Sequence, residues 1–231
     1  MNLYNLHEDP QSLLFTESCE NVPAIFWSKY GDSPGELKKR EAAISKSAKY
    51  AYAYARDVLK RPFPEGEAAI AKYAHYSYFY AKDVLKYPFP AGEEAISKDA
   101  LLAYWYAKYV LSGPFHKGEE AIANDAGFAY YYAKNILKGP FPAGEEAIAK
   151  KAEYALWYAK YVLNRQFKLG EAIIAQDENR AYWYARFVLK APFKFGEQVI
   201  AKSERNSKKY AQHVLKSDFY IDGKLIAKFE K

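Results

Sequence analysis

The sequence predicts an all-α fold, an α-solenoid of seven 26-residue, two-helix repeats with an N-terminal cap. Three observations carry this. Ile recurs every 26 residues, at Ile44, Ile70, Ile96, Ile122, Ile148, Ile174, Ile200 and Ile226. A Tyr-Ala pair keeps the same step from Tyr54-Ala55 to Tyr210-Ala211, and Phe keeps it from Phe63 to Phe219. A fixed period of roughly 20 to 50 residues marks a stack in which each unit buries its apolar face against its neighbours.

The elements follow in order. Residues 1–39 do not fit the period and read as a capping segment, with Leu13, Leu14, Phe15, Ile25, Phe26 and Trp27 as its apolar surface. The loop Gly31-Asp32-Ser33-Pro34-Gly35 separates it from the stack. Residues 40–221 hold the seven repeats, and residues 222–231 read as a truncated eighth repeat or C-terminal cap. Each repeat is counted from its Gly as position one: Gly66, Gly92, Gly118, Gly144, Gly170 and Gly196, with Arg40 in the first repeat.

A short helix opens each repeat. Glu stands second in all seven, at Glu41, Glu67, Glu93, Glu119, Glu145, Glu171 and Glu197, where an acid suits the positive end of a helix. About two turns long, this helix is too short to stand without packing. A longer helix follows. Its expected N-caps are Ser47, Asp99, Asp125, Asp177 and Ser203; Tyr73 and Lys151 depart from the pattern. It runs to a Val-Leu or Ile-Leu pair and stops before Pro62, Pro88, Pro114, Pro140 or Pro192, because Pro lacks an amide hydrogen and restricts its predecessor. The Phe that comes next fills the space between units.

At about 100° per residue, the small and apolar positions twelve, fifteen, sixteen, nineteen and twenty of the long helix gather into one core stripe. The position-fifteen tyrosines should place their rings in the core and bond their hydroxyls to a neighbour's backbone. The opposite side carries cations at position seventeen: Arg56, Lys82, Lys108, Lys134, Lys160 and Arg186. Position twenty-one adds Lys60, Lys86, Lys138, Lys190 and Lys216. Position fourteen reads Ala53, Phe79, Trp105, Tyr131, Trp157, Trp183 and Lys209.

Two readings of this outer side compete. Position fourteen packs on the adjacent repeat and the lysines are a solvated face. Alternatively, Phe79, Trp105, Tyr131, Trp157 and Trp183 form a partner-binding surface with Lys82, Lys108, Lys134, Lys160 and Arg186. Such a surface suits a protein partner, since aromatics and Arg are favoured hot spots. It also suits single-stranded nucleic acid or an anionic nucleotide, through stacking and phosphate attraction. Self-assembly of sticky ends into dimers or filaments is a third course.

Composition excludes several classes. No apolar run approaches the roughly 18 residues of a membrane span. The start of the chain, with His7, Glu8 and Asp9, lacks the basic and apolar stretches of a signal peptide. A single cysteine, Cys19, fits a reducing, cytoplasmic compartment. The net charge of +6 points mildly toward an anionic partner. His7, His75, His116 and His213 occupy unrelated repeat positions, no zinc spacing exists, and the glycines form neither a P-loop nor a dinucleotide fingerprint. No cofactor and no enzymatic activity are expected.

The unit YAxxVLxxPFPxGExAI, seen best in Tyr54–Ile70, Tyr80–Ile96 and Tyr132–Ile148, resembles a repeat of uncharacterised tailed-bacteriophage proteins. The resemblance covers Arg40 to Lys231 and weakens in the seventh repeat, where Asp218-Phe219 replaces Pro-Phe. It carries no catalytic residues. It implies a phage origin and action in the host cytoplasm. The repeat fold, the missing chemistry and the aromatic-rich face then point to a protein-interaction module that acts on a host defence or regulatory protein.

Overall fold

The computed structural model describes residues 34–230. Most of the capping segment, including Cys19 and the apolar residues from Leu13 to Trp27, lies outside the described residues. Contacts divide the chain into two compact units, Met1–Ile70 and Ala71–Lys231. Among the described residues, both are helical and built from the two-helix repeat, apart from one terminal hairpin.

In the first unit, helix α1 spans Pro34–Ile44. Pro34 and Gly35, read as loop from the sequence, form its first turn; Pro suits that position because its missing amide hydrogen would find no partner there. Helix α2, Ala48–Ala53, widens into a π-helix over Tyr54–Leu59, and α3 spans Pro64–Ile70. Ile44, Ala51, Tyr52, Tyr54, Phe63 and Ile70 form the core.

The second unit repeats this plan. Its long helices are α4 (Ala74–Phe79), α6 (Ala100–Tyr106), α8 (Ala126–Tyr132), α10 (Ala152–Tyr158), α12 (Glu178–Trp183) and α14 (Glu204–Tyr210). Each passes without a break into a π-helical turn that ends at Leu85, Leu111, Leu137, Leu163, Leu189 or Leu215. The short helices are α5 (Glu93–Ile96), α7 (Glu119–Ala123), α9 (Glu145–Ile148), α11 (Glu171–Ile174) and α13 (Glu197–Ile200), each entered through a single 3₁₀ turn. Consecutive long helices pack side by side from α4 to α14. Asp99, Asp125, Asp177 and Ser203 accept main-chain N–H bonds at their caps, whereas Ser47 makes no side-chain cap bond.

One joint recurs through the second unit. The Phe115 N–H donates to the Tyr132 hydroxyl oxygen of the next repeat at 2.9 Å, and that hydroxyl donates to Glu119 Oε1 at 2.9 Å. Tyr106, Tyr158, Tyr184 and Tyr210 make the same pair of bonds to Phe89 and Glu93, Phe141 and Glu145, Phe167 and Glu171, and Phe193 and Glu197. The expectation of a core ring with its hydroxyl on a neighbour's backbone therefore holds. The recurring Glu is more than a dipole partner, since it is the acceptor that completes the joint. Position one needs Gly for closeness rather than for a left-handed backbone: Gly144 has φ −92°, and a Cβ there would lie 2.6 Å from the Ala129 Cβ and 2.7 Å from the Phe141 ring.

Residues 222–230, where the period places a truncated eighth repeat, complete a hairpin instead. Strand β1, Phe219–Ile221, pairs antiparallel with β2, Lys224–Ala227. Asp222 (φ 48°) and Gly223 (φ 78°) supply the two left-handed residues that a tight hairpin turn demands. The local Asp-Gly signal overrides the periodic Ile226. Gln212 clasps this end: its Nε2 donates to the Glu230 carbonyl at 2.6 Å and its Oε1 accepts from the Glu230 N–H at 3.2 Å.

Candidate protein interface

The position-fourteen aromatics do not form one exposed column. Phe79 and Trp105 are buried at 1% and 4% exposure, Tyr131 and Trp157 are half-buried, and Trp183 is 46% exposed. The difference has a packing cause. Trp105 rests on Tyr78 of the preceding repeat with ring centroids 5.9 Å apart, and Trp157 rests on Tyr130 at 5.8 Å. Behind Trp183 the preceding repeat offers Leu156 at that position, and the indole is left open.

The cations of position seventeen meet rings from position eighteen, which identity alone did not single out. Lys82 and Lys108 lie 6.0 and 4.9 Å from the Tyr109 ring centre. Lys134 and Lys160 lie 5.0 and 4.8 Å from that of Tyr161. Lys160 and Arg186 lie 4.6 and 5.0 Å from that of Phe187. Each ring thus sits between its own repeat's cation and the preceding repeat's. The rings remain exposed, Tyr161 at 50%. Burial disfavours charge on Lys108, but the neighbouring Tyr109 and Tyr104 more than offset it, and its pKa lies above the usual lysine value.

From Tyr109 to His213, position eighteen reaches back to the preceding repeat. Asn135 Nδ2 donates to the Tyr104 hydroxyl at 3.0 Å, and His213 Nδ1 lies 2.9 Å from the Tyr182 hydroxyl and 3.2 Å from an Arg186 nitrogen. Burial, helped by Arg186 and Lys209, pulls the His213 pKa down, which favours the neutral ring. The series stops at the seventh repeat because position seventeen there is Gln212, engaged with the hairpin. In the first unit Arg56 faces Tyr52 but is neutralised by Asp57, with two bonds of 2.6 and 2.7 Å.

Among the described residues, Lys108, Lys134, Lys160 and Arg186 make no ion pair with a carboxylate. The position-two acids Glu93, Glu119, Glu145, Glu171 and Glu197 are held by the joint tyrosines. The second unit therefore presents unneutralised cations interleaved with exposed rings. No protein-family model, curated protein or solved structure matches the chain. Among the described residues, no cluster of three His, Cys, Asp or Glu could hold a metal ion, and no helix is long and apolar enough to cross a membrane.

Proposed function

We propose that this chain is a non-enzymatic binding scaffold, of phage origin, that holds an acidic surface of a host defence or regulatory protein in the bacterial cytoplasm. The carrying observation is the alternation of Lys108, Lys134, Lys160 and Arg186 with Tyr109, Tyr161 and Phe187. These cations, which lack carboxylate partners among the described residues, attract an acidic surface, and exposed aromatics give such an interface its anchors. The same geometry weighs against the nucleic-acid alternative. Single strands stack on open ring faces, and here two cations stand over each ring.

The experiment compares a labelled oligoglutamate peptide with a labelled oligothymidylate by fluorescence anisotropy at low and physiological salt. Oligoglutamate should bind the wild-type protein, and K108E/K134E/K160E should weaken it at least ~10-fold, with helical circular dichroism unchanged. Tighter binding of oligothymidylate would transfer the surface to single-stranded nucleic acid. Affinity capture from bacterial lysate, read by mass spectrometry with and without the triple substitution, then identifies the partner.

A further inference from the structure

The end of every long helix carries a second irregularity. The position-twenty-one residues Lys60, Lys86, Ser112, Lys138, Asn164, Lys190 and Lys216 all have φ between 51° and 62°, in the left-handed region. An L side chain is strained there, and Gly is the residue that relieves it. Yet five of the seven are Lys and none is Gly, although Gly occupies the next position at Gly113 and Gly139. All seven are exposed.

Stability does not ask for these lysines. Lys86, Lys138 and Lys190 stand four residues after Lys82, Lys134 and Arg186, and like charges at that spacing repel. Among the described residues, none of Lys86, Lys138, Lys190 and Lys216 has a carboxylate partner. Attraction to the helix C-terminus offsets only part of this, because Lys or Arg one residue earlier or later would supply it without strain. Backbone strain kept in repeated copies points to a side chain needed for contact.

We propose that Lys86, Lys138, Lys190 and Lys216 form an outer rail of the same interface. The rail takes a second row of carboxylates on the acidic protein partner, beyond the row met by the position-seventeen cations. This rests on the reading that the position-seventeen face binds an acidic protein. The partner is therefore defined further: its acidic patch is at least two carboxylates wide and recurs along the stack at the repeat spacing.

The test is K86G/K138G/K190G, with K86N/K138N/K190N as a second variant, since Asn also tolerates the left-handed region. Oligoglutamate affinity should fall about tenfold in both, through faster dissociation and a shallower salt dependence, while the thermal midpoint of the Gly variant stays level or rises. Unchanged affinity in both variants, alongside lost affinity in K108E/K134E/K160E, would overturn the rail and leave the inner face standing. A wild-type protein that does not bind oligoglutamate, or binds duplex DNA of matched charge more tightly, would remove the reading itself and the rail with it.

Discussion

The position-fifteen tyrosine is the residue on which the stack turns. Its ring meets the Phe of its own repeat edge-on, as for Tyr132 and Phe141 at 5.2 Å, while its hydroxyl accepts from the preceding repeat's Phe N–H and donates to the Glu of its own repeat. Removing that oxygen strands a buried main-chain N–H and one carboxylate lone pair at once. Tyr132→Phe should cost about 1–3 kcal/mol, read by chemical denaturation. A change near zero would mean that water replaces the hydroxyl. The ring's role was legible in the sequence, because an invariant Tyr beside an invariant Ala on an apolar stripe can hardly face water. The carboxylate partner was not, since thirteen residues separate Tyr132 from Glu119 and helix-start acids have an ordinary explanation.

At the scale of elements, the close approach of the 3₁₀ turn to the preceding long helix sets the repeat-to-repeat distance. Gly144→Ala should destabilise by about 1–3 kcal/mol, because the new methyl meets the Ala129 Cβ and the Phe141 ring and neither can withdraw. Equal stability would show that the joint can spread. The order of helices, their Asp caps and their Pro ends were readable from periodicity and capping chemistry. The π-helical turns were not, for Tyr-Ala-Lys-Asp-Val-Leu has no local feature that separates a π from an α turn. Nor was the left-handed Lys, where a sequence reading expects Gly. The position-eighteen rings escaped for another reason: Asp57, Asp83, Tyr109, Asn135, Tyr161, Phe187 and His213 share a place in the repeat but no chemistry.

At the scale of the whole molecule, the buried tyrosines make stability depend on alkaline pH. Burial, reinforced by the Glu partners, pushes the pKa of Tyr106, Tyr132, Tyr158, Tyr184 and Tyr210 well above the tyrosine range, and that of Tyr54 up to about 12. A folded-state pKa above the unfolded value of about 10 means that the folded chain holds these protons longer. Their stabilisation is complete below about pH 10 and is lost as pH rises through the folded values. Phenolate absorbance should therefore end in a steep step that coincides with loss of helical circular dichroism. Ionisation of every tyrosine with the helices intact would contradict the joint. Charge is organised at this scale too: position-two acids are spent inside the joints, and the long helices' cations face outward.

The joint has one more consequence, for how such a chain changes length. Every seam in the second unit is fastened by the same three groups, a ring hydroxyl, a carboxylate and an amide, in the same order. A duplicated stretch of 26 residues would arrive with a matching fastener on each edge and need no adaptation from the seams around it. Tandem copying could thus extend or shorten the row of cations and rings in whole steps, tuning reach toward a partner while every fold-determining contact stays as it was.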